Sequence, residues 1–235
     1  MENMNNVNKV VDVWEKSLVE SIDLGGLFSR DPIAHKWKAT YRITVLRELT
    51  FWRVTDLLKQ MSLLVKNDHL LGARILLRSA IETVGILIYL NVKIESVFKG
   101  NISFDELSKT TSKLMLGSKN ESTKFSALNI VTILNKHCEK RYEGISQIYA
   151  DLSETAHPNY DGVCSGYSHI DEEEYVTYFK NQFSERYNAN IEDYATAVMK
   201  IFEEEYNNVW PQMFEKLEKW LVENNDRLEA LRIDI

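Results

Sequence analysis

The 235-residue chain carries a net charge of -7, from 28 Lys and Arg against 35 Asp and Glu. That balance opposes nonspecific binding to nucleic acid or an anionic membrane, because a phosphate footprint needs clustered cations. Apolar residues make up 44% of the chain, enough for one substantial core in a single helical domain spanning 1–235, and 3 Pro with 9 Gly are too few to punctuate a many-stranded protein. The expected class is all-α, a helical bundle with additional N- and C-terminal helices.

Val7, Val10, Val11, Trp14, Leu18 and Ile22 recur at three- and four-residue spacings before Gly25 and Gly26, which predicts an amphipathic helix with a glycine stop. Asp31 and Pro32 then supply a cap and a first helical residue. Trp37, Tyr41, Leu49, Trp52, Leu57, Met61 and Leu64 follow, so one long helix, or two with a bend, should reach about Lys66. Asn67 to Leu90, NDHLLGARILLRSAIETVGILIYL, reads as a central helix apolar on nearly every face, capped by Asn67 or Asp68. The short connection implies an antiparallel hairpin with the helix before it. The longest apolar run, Thr83 to Leu90, falls short of the roughly 20 residues that cross a bilayer, so no membrane span is expected.

The pattern weakens from Asn91 to Ser126, apart from a capping box, Ser103-Phe-Asp-Glu106, opening a short helix that ends near Gly117. GSKNEST beyond it reads as a surface loop. Leu128, Val131, Leu134 and Cys138, then Ile145, Ile148, Tyr149, Leu152 and Ala156, predict two helices or one kinked helix, separated by KRYEG. Pro158 should end the second at His157. Residues 159–188 read as a long, partly ordered loop able to cover a site, with the acidic run Asp171 to Glu174 solvated. Helical spacing returns with Ile191, Tyr194, Ala195, Val198, Ile201, Phe202 and Val209; Pro211 marks a break or fresh start before Phe214, Leu217, Trp220, Leu221, Leu228 and Leu231. Trp14, Trp37, Trp52, Trp210 and Trp220 fall at helical spacing and read as core.

Arg74, Arg78 and Glu82 follow at four-residue intervals and so project from one side of the central helix. Base before acid is the weaker order for local helix support, which directs the pair toward other helices or a polar cavity. A second set, Tyr149, Ser153 and His157, shares a helix end, with Asn159 and Tyr160 just beyond. An imidazole there suits proton transfer, because it titrates near neutrality; it equally suits a helix C-terminal cap. Ser153 lacks a surrounding Gly-x-Ser-x-Gly turn, which speaks against serine hydrolase chemistry. Two readings follow for the whole constellation, a buried network fixing helix register or a catalytic site.

His137, Cys138, His157, Cys164 and His169 lack zinc-site spacing, and no phosphate loop or dinucleotide fingerprint is present, so no metal or cofactor is expected. Two cysteines and no secretory signal in MENMNNVNKV fit a reduced cytoplasmic protein.

At ARILLRSAIE (residues 73–82) together with YADLSETAHPN (149–159), the chain resembles a family of uncharacterised bacterial helical proteins related to the HEPN superfamily, helical domains that include many RNA-cleaving toxins and phage-defence proteins. The likeness rests on an Arg-x-x-x-Glu core helix and a Leu-Ser-x-x-x-His helix end. It implies a HEPN-like bundle that forms a homodimer, RNA as substrate, an antitoxin or other protein as partner, and metal-independent endoribonuclease activity. It further implies that His157, Arg78 and Glu82 are catalytic and face one another across the bundle, with Arg74, Tyr149, Ser153, Asn159 and Tyr160 binding. HEPN ribonucleases place an arginine four to six residues before the catalytic histidine, whereas this chain has Asp151, Leu152 and Ser153 there. The cation would have to come from Arg74 or Arg78 on the neighbouring helix.

Overall fold

The structure, a computed structural model, describes residues 2–120 and 122–231, with side chains from residue 6 onward. In chain order the elements are α1 (Glu2–Lys16), α2 (Leu24–Arg30), α3 (Pro32–His35), α4 (Lys38–Lys66), α5 (Leu70–Phe98), α6 (Phe104–Leu116), β1 (Gly117–Ser118), β2 (Phe125–Ser126), α7 (Ile130–Ile133) and α8 (Ile145–Ala156). They continue with β3 (Ser168–Asp171), β4 (Val176–Phe179), α9 (Phe183–Tyr187), α10 (Ile191–Glu203), α11 (Trp210–Glu223) and α12 (Asn225–Ala230). Three π-helical turns are inserted, Leu134–Cys138 after α7, Tyr160–Ser165 before β3 and Glu204–Val209 between α10 and α11. The protein is an all-α bundle; the strands form only two small sheets, β1 with β2 parallel and β3 with β4 antiparallel.

The bundle is built around α5. Its Leu77, Ile81, Val84, Leu87, Ile88 and Leu90 are fully buried, and the α4–α5 hairpin is the most extensively packed pair of helices. Each such side chain contributes about 1.5–3 kcal/mol on leaving water. By length and composition α5 is apolar enough to cross a membrane, with a mean hydropathy of 1.6 over its most apolar stretch. Counting only the unbroken run Thr83 to Leu90 understates it, because isolated polar residues inside a long helix do not undo its overall character. In the bundle its faces are covered by α4, α8, α10 and α11. Beside it Trp14, Phe51, Phe202 and Tyr206 form an aromatic cluster, with Trp14 and Phe202 centroids 5.1 Å apart.

Several local expectations are corrected. Asp31 does cap α3, its Oδ1 accepting from the Ile33 and Ala34 amides at 3.0 and 2.9 Å, but α3 is one turn and the long helix starts afresh after Trp37. The first helix ends at Lys16, leaving Leu18 and Ile22 in an irregular connection. Gly25 and Gly26 open α2 and stop nothing; a Cβ on Gly26 would lie 2.6 Å from the Asp23 carboxylate, so glycine serves close packing of that first turn. Neither Asn67 nor Asp68 caps α5. The tight turn needs a left-handed residue, supplied by Asp68 at φ 60°, and the Asn67 amide instead donates to the Leu63 carbonyl at the end of α4 at 2.7 Å. α5 runs on to Phe98 because Asn91, a breaker by composition, finds a buried partner in Glu205.

Ser103 caps α6 as its capping-box spacing implies, accepting from the Glu106 amide at 3.1 Å. Of the GSKNEST loop, Glu121 lies outside the described residues. Residues 159–188 are not a loop: they hold a π turn, the β3–β4 hairpin and α9, with Phe183 buried. Pro211 marks the fresh start expected of it, in the first turn of α11, where a missing N–H is tolerated, and the π turn joins that helix to α10. Trp52 is 46% exposed, not core. Cys138 is buried and Cys164 exposed, and both are free.

Candidate functional site

The charged side of α5 meets α8 in an ordered ladder. Arg74 reaches Asp151 and Thr155, Arg78 reaches Tyr149 and Ser153, and Glu82 reaches Tyr149. Rising numbers on one helix meet falling numbers on the other, so the two run antiparallel along this contact. Four-residue spacing on both helices makes the rungs coincide.

Arg74 is only 1% exposed. An isolated guanidinium could not be buried so deeply without large cost, and its donors are used. Nε donates to Thr155 Oγ1 at 2.7 Å, Nη2 to Asp151 Oδ2 at 2.7 Å and to the Asp151 carbonyl at 3.0 Å, and Nη1 to the Tyr187 carbonyl at 3.4 Å. It thereby ties α5 to both α8 and α9. Burial, followed by the nearby Asp151 charge, raises the neighbouring Tyr194 phenol above its ordinary value.

Arg78 and Glu82 are half-buried and 3.4 Å apart. Arg78 Nε donates to Ser153 Oγ and Nη2 to the Tyr149 hydroxyl, each at 2.8 Å, while that hydroxyl donates to Glu82 Oε1 at 2.9 Å. Burial, and then the bond to Glu82, raise the Tyr149 phenol, so it stays a donor at neutral pH. The Ser153 proton goes to the Tyr149 carbonyl at 2.7 Å, which leaves no base to activate that hydroxyl. On the side of Glu82 away from α8 lies a cavity of 220 Å³ bounded by Ser79, Thr83, Arg53 and Lys113, with Arg53 Nε bonded to Thr83 Oγ1 at 3.2 Å.

His157 stands apart from this set. As expected it ends α8, with extended backbone (φ -88°, ψ 150°), but its ring is exposed and makes no polar contact with the described residues. The expectation that Arg78 and Glu82 face His157 is therefore corrected: they face Tyr149 and Ser153, because those two residues lie one and two turns deeper along α8. Asn159 caps the following π turn by accepting from the Gly162 amide at 3.0 Å, and Tyr160 is 73% exposed. The chain doubles back so closely here that a Cβ on Gly162 would fall 1.9 Å from the His157 carbonyl oxygen.

Asp151 and Thr155 were missed by sequence reasoning, although their spacing mirrors Tyr149 and Ser153 on the adjacent stripe of α8. A second missed constellation lies further along α5. The Glu205 carboxylate, 0% exposed, accepts from Asn91 Nδ2 and the Tyr142 hydroxyl, each at 2.7 Å, and pairs with Arg141 Nε at 2.5 Å. No short-range spacing could reveal it, since its members come from three separate segments. Burial, then the Glu205 charge, push the nearby Cys138 thiol up to about 12, so it is an inert core residue. Among the described residues no group of three or more His, Cys, Asp or Glu is placed to hold a metal ion.

Fold and site together define an all-α bundle organised by an arginine ladder between its central helix and α8. Compared with family models, curated proteins and solved structures, the chain gives no match.

Proposed function

We propose that this protein is a non-catalytic helical interaction or regulatory module whose Arg78–Glu82–Tyr149–Ser153 network fixes α5 against α8. The observation that supports this reading is where the ladder spends its bonds: Arg74 donates to Thr155, Asp151 and the Tyr187 carbonyl, Arg78 to Ser153 and Tyr149, the Ser153 proton goes to backbone, and the exposed His157 ring lies outside the set. Substitution of Arg78 by Met should then lower the melting temperature, whereas His157→Ala should leave it unchanged and neither should alter any RNA.

A second reading is a HEPN-like RNA-cleaving toxin or phage-defence component, countered by an antitoxin or other protein. It is favoured by the exposure of His157 one turn beyond the serine that Arg78 holds, which puts a base and a cation near one helix end. In that reading His157 is the acid/base and Arg78 the phosphate contact. Growth and total RNA on induction separate the two. Slowed growth with cleaved RNA, both relieved by His157→Ala, would overturn the structural reading; normal growth and intact RNA would sink the catalytic one.

A further inference from the structure

The cavity beside Glu82 brings three kinds of surface into one small space. Ser79, Glu82, Thr83 and Ile86 all border it, and on α5 they fall three or four residues apart, so they make one stripe about 10 Å long. The stripe is polar at its start and apolar at its end, where Ile86 meets Leu128 and Ile130 across the cavity. Ile130 stands at that end because α7 packs closely on α5 there: a Cβ on Gly85 would lie 3.7 Å from the Ile130 Cδ1.

The polar half keeps unused bonding capacity of both signs. Arg53 of α4 is pinned by its Nε bond to Thr83 Oγ1 at 3.2 Å, and its two Nη nitrogens have no partner among the described residues. The Lys113 ammonium of α6, on the same cavity, has none among them either. Glu82 gives Oε1 to the Tyr149 hydroxyl and to Arg78, while its Oε2 and the Ser79 hydroxyl make no hydrogen bond with a described residue.

The geometry points to a binding site for a free aliphatic α-amino acid, its carboxylate toward Arg53 and Lys113, its ammonium toward Glu82 and Ser79, and its side chain on Ile86 and Ile130. A wall of both signs selects such a zwitterion, because an anion alone faces the Glu82 charge and an amine alone faces the two cations. Guanidinium nitrogens suit a carboxylate, which they can hold with two parallel bonds. The cavity of 220 Å³ has room for about seven water molecules at roughly 30 Å³ each, close to the about eight non-hydrogen atoms of a small branched amino acid. The site uses the side of Glu82 turned away from α8, so it does not depend on whether the arginine ladder is structural or catalytic.

Titration calorimetry of the full-length chain with L-leucine tests the proposal, with one site per chain expected. Isocaproate lacks the ammonium and isoamylamine the carboxylate, so each should bind at least about tenfold more weakly, the loss of one charged hydrogen bond. Glu82→Gln should remove the preference for leucine over isocaproate, and Arg53→Met combined with Lys113→Met the preference for leucine over isoamylamine. Should a variant fail to fold, the three ligands on the wild-type chain decide by themselves. No heat of binding and no rise in melting temperature with leucine up to about 10 mM overturns the proposal. So does isocaproate or inorganic phosphate binding as tightly as leucine, the mark of a plain anion site.

Discussion

Two polar clusters lie along α5, one around Arg74, Arg78 and Glu82 and the other around Asn91 and Glu205, and they use the same kinds of residue in different surroundings. Around Glu205 the carboxylate is sealed, held by Asn91, Tyr142 and Arg141. Around Arg78 both charges are half-buried, and Glu82 also borders a cavity. Arg74 falls between the two cases, a buried cation whose carboxylate partner Asp151 is 39% exposed. A buried charge left without its partner cannot recover its hydration, while a half-exposed one can. The sealed cluster should therefore respond far more strongly to the loss of one member than the open one.

Replacing Arg141 with Met tests the sealed end. It strands the Glu205 charge and should cost about 3 kcal/mol in urea unfolding, the low end of the range for breaking a buried pair, because part of Arg141 remains in water. A loss below 1 kcal/mol would mean that Asn91 and Tyr142 alone hold the carboxylate. Arg74→Met should cost about 2 kcal/mol, since it removes the donors to Thr155 Oγ1, to Asp151 and to the Tyr187 carbonyl of α9. Arg78→Met should cost about 1 kcal/mol, and a double-mutant cycle with Tyr149→Phe should show the two losses to be non-additive. An Arg78 effect as large as that of Arg141 would erase the contrast between the clusters.

The smallest expected effect concerns pH. His137, in the π turn against Tyr89, is held below its ordinary value of 6.5 by burial first and then by Lys93, Lys140 and Lys136. A base whose folded-state value is depressed binds fewer protons folded than unfolded near that pH. Its contribution to stability is thus present above 6.5 and declines as pH falls below it. The difference in melting temperature between wild type and His137→Gln should accordingly change between pH 7 and pH 5; a constant difference would contradict this placement.

Much of the arginine ladder was legible beforehand. Four-residue spacing put Arg74, Arg78 and Glu82 on one side of a helix, their order argued for distant partners, and Tyr149 and Ser153 were named as binding residues of the same site. The same spacing drew His157 into the group, and there it misled. A helix face continues only as far as the helix does, and Pro158 turns the backbone extended at His157, swinging the ring out of line with Ser153. Residues 159–188 failed for a related reason. A short hairpin with both strands exposed has no alternation of buried and exposed positions for a pattern to register.

Periodicity, caps and proline placement determined by themselves the helical class, the α4–α5 hairpin, the capping box at Ser103 and the end of α8, because each is written within a few residues of the chain. Only the tertiary structure decided that Arg74 is sealed while Arg78 is not, that α5 continues through Asn91, and that Glu205 is the buried anion which makes this possible. Each depends on a partner tens of residues away, and burial, which fixes what a charge costs, is a property of the packed whole.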